Sequence, residues 1–201
     1  MAKGHSKLLM IFDLERTLCL TKKPALNSLK LEFNPSDSLV LRAHLNELNH
    51  FLFVRNKLFF KVGVWTSSSA ETTQKLLDPV FGRFKNNLLF LYSSPKSDSQ
   101  RDLQRVWYNY PDFSPSNTLM VDSQEDSTSP KENHIPLPEI KPNDQALKIL
   151  QDYLKFYSYQ VYCGRARHLI DFVNKIPFSL YYLEHSKPEF SDHDWENRRF
   201  G

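Results

Sequence analysis

Apolar residues in this chain fall into short unbroken runs and into helical spacings, and the two kinds of segment alternate. Leu8-Leu9-Met10-Ile11-Phe12 is an unbroken run that stops at Asp13, the pattern of a strand covered on both faces. Asn34-Pro35-Ser36-Asp37 is a helix-start signal. Leu41, Leu45, Leu48, Phe51 and Leu52 follow at helical spacing and predict a helix that ends near Arg55. Phe60 to Trp65 is a second apolar run. It leads into Thr66-Ser67-Ser68-Ser69-Ala70-Glu71, where Ser68 and Glu71 have capping-box spacing. Leu88 to Tyr92 predicts a third strand, Gln100 to Tyr108 a short amphipathic helix, and Thr118 to Val121 a fourth strand that ends at Asp122.

From Ser123 to Asn143 the composition turns to Ser, Glu, Pro and Lys and predicts a long irregular loop. Beyond it, Leu147, Leu150, Tyr153 and Leu154 predict one helix, and Ala166, Leu169, Ile170 and Val173 another. Pro177 closes the regular pattern. The expected organisation is a domain over residues 1–177 and an aromatic-rich tail over 178–201. In that tail Tyr181, Tyr182, Phe190, Trp195 and Phe200 show no period and suit attachment to a protein partner. Alternating strands and helices predict an α/β fold, an open parallel sheet flanked by helices, with a ligand site beyond the carboxyl ends of the strands.

Composition narrows the function classes. With 201 residues the chain suffices for one sizeable core, and 15 Phe and 9 Tyr argue for a folded domain. A net charge of +3, with no basic run interleaved with aromatics, gives no reason to expect nucleic-acid binding. No segment approaches the roughly 20 apolar residues of a membrane span. Cys19 and Cys163 have no CxxC spacing, and the seven histidines are scattered, so no disulfide framework, cysteine zinc site or histidine metal site is expected. A reducing intracellular compartment fits, nucleus or cytoplasm ahead of mitochondrion.

Candidate chemistry gathers at the strand ends. A carboxylate such as Asp13 can attack phosphorus to form an aspartyl-phosphate. A second acid two residues on, Glu15, can protonate the leaving oxygen and then activate water. The hydroxyls of Thr66 and Ser67, at the start of a helix, can hold phosphoryl oxygens, although capping that helix is the competing role. A hard cation between Asp13, a loop carbonyl and a group near Asp122 would neutralise the charge that builds up in transfer.

In this order the segments Asp13-Leu14-Glu15-Arg16-Thr17-Leu18, Trp65-Thr66-Ser67-Ser68, Arg101-Asp102-Leu103 and Asn117-Thr118-Leu119-Met120-Val121-Asp122 resemble the haloacid dehalogenase superfamily. Within it they resemble the C-terminal-domain phosphatases, also called NLI-interacting-factor-like. The resemblance runs over about residues 7 to 155 and continues through Asn143-Asp144. It implies a magnesium-dependent phosphatase acting on phosphoserine or phosphothreonine in flexible protein segments. It also implies that Arg101 joins Thr66 and Ser67 in binding phosphate, and that Asp13, Glu15, Asp122 and Ser123 surround the magnesium. Three positions depart from the family pattern. Glu15 replaces an Asp and adds about 1.5 Å of reach. Arg101 replaces a Lys, and Ser123 replaces an Asp or Asn. Two function classes follow: a phosphatase of altered activity, and a catalytically weakened relative that serves as a binding or structural subunit.

Overall fold

A computed structural model of the protein describes residues 7–21, 39–93, 101–124, 128–142, 144–165 and 168–186. In chain order these form β1 (Leu8–Phe12), β2 (Cys19–Thr21), β3 (Leu39–Leu41), α1 (Leu45–His50), β4 (Phe60–Thr66), α2 (Ala70–Phe81), β5 (Leu91–Ser93) and β6 (Arg101–Asp102). There follow α3 (Gln104–Asn109), β7 (Thr118–Asp122), β8 (Thr128–Ser129), β9 (His134–Pro136), α4 (Ala146–Tyr162), α5 (Leu169–Lys175) and α6 (Phe178–His185). The main sheet has the order β5-β4-β1-β7-β9, with every pair parallel, so the fold is the expected α/β one.

The unbroken apolar run of β1 is explained by its place at the centre of the sheet. Leu8, Met10 and Phe12 enter a large core with residues of α1, α2, α4 and α5, while Leu9 and Ile11 enter a smaller one on the other face with Trp65, Phe90, Leu103, Val106 and Met120. β7 divides in the same way, Leu119 and Val121 to one side and Met120 to the other. A strand buried on both faces cannot show alternation. Gly63 in β4 meets a tight requirement: a Cβ there would lie 2.5 Å from the Phe90 ring.

The sequence misplaces several boundaries. The helix expected from residue 34 begins at Leu45, after His44 in a left-handed conformation (φ 63°), and Leu39–Leu41 is instead a strand paired with β2. Leu41 is exposed and had lent a false match to the helical period; Asn34 to Asp37 lie outside the described residues. The stretch read as one long loop holds β8 and β9, and β9 adds the fifth strand of the main sheet. Only Ile135 of its three residues is buried, which is too short for a periodic signal, and Pro136 is tolerated because β9 is an edge strand. β5 is centred later than expected, although Leu89 already donates to the Val62 carbonyl at 2.7 Å. α3 starts at Gln104, because Arg101–Asp102 pairs with β8. Cys163 is exposed at the end of α4.

Regular structure also continues past Pro177. α6 packs on the domain: Phe178 is buried, and the rings of Phe178 and Tyr181 both contact Tyr153. Tyr153 in turn donates its hydroxyl to the Ile176 carbonyl at 2.7 Å and ties α4 to the link between α5 and α6. Tyr181 and Tyr182 therefore face their own domain, whereas Phe190, Trp195 and Phe200 lie outside the described residues. Phe178→Ala is expected to cost about 3 kcal/mol of stability by the cavity it leaves, readable by urea denaturation; a loss below about 0.5 kcal/mol would mean that α6 contributes nothing to the core. Among the described residues no helix is long and apolar enough to cross a membrane.

Candidate functional site

In sequence order the sheet grows from β1 through β4 to β5 on one side, and then from β7 to β9 on the other. The reversal lies at β1, and in such sheets the crevice beyond the strand ends at that point takes the ligand. Register fixes which residues reach it. Phe12 pairs with Val64 and with Val121, so the next residue along each strand, Asp13, Trp65 and Asp122, emerges at the same level, with Thr66 one further. The Asp13 amide donates to the Val121 carbonyl at 3.1 Å, which holds the end of β1 against β7.

Arg101 joins the two aspartates. Its Nη2 donates to Asp13 Oδ1 at 3.0 Å, and its Nη1 donates to Asp122 Oδ2. All three side chains are buried, Asp122 completely. β6 and β8 anchor the arginine backbone through the Arg101–Thr128 pairing and the bond from the Leu103 amide to the Ser129 carbonyl. Burial lifts the Asp13 carboxyl to about 7 from its ordinary value of 3.8. Arg101 pulls it down, the neighbouring Asp122 pushes it up, and the Thr66 hydroxyl and Leu14 backbone pull it down again. Burial, with Glu15 and Asp13 nearby, likewise pushes the Cys19 thiol up to about 12, so it is not a nucleophile.

Glu15 sits half-buried on the loop after β1, where Arg16 adopts φ 65°, a left-handed conformation that costs energy for a residue with a side chain and is met at functional turns. Two hydroxyls hold its carboxylate: Ser68 Oγ donates to Oε2 at 2.6 Å and Thr21 Oγ1 to Oε1 at 2.5 Å. Ser68 therefore does not cap α2 as its spacing with Glu71 suggested. The cap is Ser69, which accepts from the Thr72 amide. Thr66 is buried and its Oγ1 accepts from the Ser68 amide at 3.3 Å. Ser67 is exposed, and the buried hydroxyl of this turn belongs to Ser68. Ser123 is half-buried with its amide on Thr17 Oγ1 at 3.1 Å, and Asp122 Oδ1 accepts from the Gln124 amide at 3.0 Å. Thus Asp13, Glu15, Thr66, Arg101, Asp122 and Ser123 gather at one end of the sheet. Ser68 and Thr21 are members that sequence reasoning missed; the only signal for Ser68 was a hydroxyl run with one more member than a cap needs.

A second buried cation braces the loop that carries the site. Arg42, at the end of β3, donates to the carbonyls of Thr17 (2.9 Å) and Pro138 (2.7 Å) and to Asp144 Oδ1 (3.1 Å). The expected magnesium does not fit these side chains as they stand. Asp13 and Asp122 each turn an oxygen to Arg101, Asp122's other oxygen has an amide donor, and Glu15 is held by hydroxyls. Among the described residues no three carboxylate, histidine or cysteine side chains converge on a metal position.

The family model described as NLI interacting factor-like phosphatase matches residues 8–164. Among solved structures, an arginine-to-alanine variant of the fission yeast RNA polymerase II CTD phosphatase Fcp1, bound to beryllium fluoride, is similar with a TM-score of 0.56. It is 12% identical, and the match covers 83% of this chain and 69% of that one. A structure of Fcp1, an essential RNA polymerase II CTD phosphatase, gives a TM-score of 0.50 at 12% identity and covers 94% of this chain and 56% of that one. At such identity the two structures speak for the fold. No curated protein matches.

Proposed function

We propose, from the premise that this chain belongs to the NLI interacting factor-like phosphatase family, that it is a phosphoserine/phosphothreonine protein phosphatase working through Asp13. The observation that carries the proposal is a buried carboxylate at the sheet's switch point, with a guanidinium N–H at 3.0 Å and a second acid, Glu15, clamped by hydroxyls on the same loop. Asp13 attacks the phosphorus of a phosphorylated side chain in line with the leaving oxygen. The bond from phosphorus to that serine or threonine oxygen breaks as an aspartyl-phosphate forms. Glu15 delivers a proton to the departing oxygen and then takes one from the water that attacks the aspartyl-phosphate, restoring the Asp13 carboxylate. Thr66, the turn that includes Ser67, and Arg101 supply the hydroxyl, backbone and guanidinium donors for the phosphoryl oxygens.

A phosphoprotein, or a flexible phosphopeptide segment of one, is the substrate under this reading. The family resemblance implies magnesium, but Arg101 already faces both aspartates that would hold it. A reducing intracellular setting is supported by Cys19 and Cys163 being free thiols. The same Arg101 pairing favours a second reading, a weakened relative that binds or braces a larger assembly, because a nucleophile held in an ion pair is a poorer one.

A trapping experiment separates the readings. The full chain is incubated with a phosphoserine peptide, released phosphate is measured, and the acyl-phosphate is reduced with borohydride and located by mass spectrometry. Release of phosphate with the reduced residue at position 13 is the expected result. Absence of both, on either side of neutral pH, sinks the phosphatase reading and leaves the binding one.

A further inference from the structure

Two buried carboxylates at neighbouring strand ends repel each other, and a cation between them offsets that repulsion. In this chain a side chain supplies that cation. Arg101 reaches Asp13 through one terminal nitrogen and Asp122 through the other, so the planar fork spans the gap. Three further observations fix it there. The Arg101 side chain is only 7% exposed. The strand pairing of Arg101 and Asp102 with Thr128 and Ser129 holds its backbone from behind. Position 123 offers a neutral serine, with its amide committed to Thr17.

We infer that Arg101 is the resident cation of this site, taking the position between Asp13 and Asp122 that a divalent ion would otherwise need and keeping such an ion out. Magnesium asks for near-octahedral oxygen ligands at short distance and gives up its waters reluctantly. To enter, it would have to pull both carboxylates from the fork and leave a like charge beside it in a buried pocket. Arg101 is thus more than a lysine substitute that touches phosphate: it determines the ion specificity of the site, setting it to none. The inference rests on reading the Asp13 crevice as the family's phosphoryl site, yet it concerns ion binding and is scored without any turnover.

The test titrates the full chain with manganese, a paramagnetic stand-in for magnesium, and follows water-proton relaxation; competition with magnesium is then read on any bound ion. The parent is expected to show no saturable site up to about 1 mM ion. Arg101→Ala should gain one saturable site, at least about tenfold tighter than any binding by the parent, displaced by magnesium and lost again when Asp122→Asn is added. Arg101→Gln, which keeps hydrogen-bonding capacity without the charge, serves as the second variant should the alanine chain fail to fold, and its melting curve verifies that it does. A saturable site in the parent that disappears with Asp122→Asn overturns the inference, whatever the variants do. So does a folded Arg101→Gln chain that gains no ion. Failure of phosphopeptide hydrolysis leaves these readings untouched, and so distinguishes loss of the proposed activity from loss of this inference.

Discussion

Asp13→Asn is expected to lower phosphopeptide hydrolysis by at least about a thousandfold, because the amide has no charge with which to attack phosphorus and no second group in the site can replace it. In the parent, the rate should climb with pH through about 7 as the buried Asp13 carboxyl ionises, since the carboxylate is the attacking form. The same shift makes a stability prediction of definite sign. The folded state holds the Asp13 proton up to about 7, whereas an ordinary aspartate loses it near 3.8. A raised folded value means stability that is present at low pH and drains away as pH rises between those two values. Asn, neutral throughout, escapes this loss. The melting temperature of Asp13→Asn should therefore draw ahead of the parent from about pH 4 to pH 7 and hold its lead above that. Parallel curves at every pH would show that Asp13 carries no burial penalty, and the pH profile of the rate would then need another source.

Arg42 should carry the largest stability effect. Its side chain is fully buried, and it satisfies the carbonyls of Thr17 and Pro138 together with a 6% exposed Asp144. Asp144 in turn accepts from the Ala146 amide and so starts α4. Arg42→Met keeps the aliphatic volume but leaves two carbonyls without this donor and the Asp144 carboxylate without its cation, and removal of one partner of a buried ion pair costs about 3–5 kcal/mol. Chemical denaturation reads this directly. Asp144→Asn on the Arg42→Met background should recover part of the loss, because the orphaned charge is then gone. A loss under about 1 kcal/mol would mean that water reaches Asp144 in the folded chain.

Much of this arrangement is visible in the sequence because the signals are strong where burial is two-sided. β1, β4 and β7 are runs of apolar residues that end in polar ones, and Asp13, Thr66 and Asp122 follow from where those runs stop. What escaped was chemistry that depends on contacts between distant residues. The spacing of Ser68 and Glu71 mimics a cap, and only the fold shows that Ser68 answers Glu15, 53 positions earlier. The role of Arg42 appears only in the fold, where Thr17, Pro138 and Asp144 close around it. Arg101 was aligned with a family lysine and read as a phosphate ligand. A lysine's point charge reaches one carboxylate well, whereas a fork can hold two, so the consequence of the exchange lies in a geometry that no linear motif records. α6, the described part of the aromatic segment after Pro177, escaped for another reason: two turns of helix with rings on several sides leave no period to find.

The central position of β1 bears on how the chain comes to be folded at all. It is made early and completed late: its partner β4 begins 52 residues after Leu8, and β7, on its other edge, pairs Leu9 with Thr118. A growing chain therefore carries a strand of five apolar residues with both edges open until β4 has left the ribosome, and with one edge still open until β7 follows. Contacts so distant in sequence make for slow closure of the sheet, while α1 and α2 have local bonds that form at once. Early helices packed on an unfinished strand give a nascent species with apolar surface to hide, the kind of species that is prone to aggregate until its second edge closes.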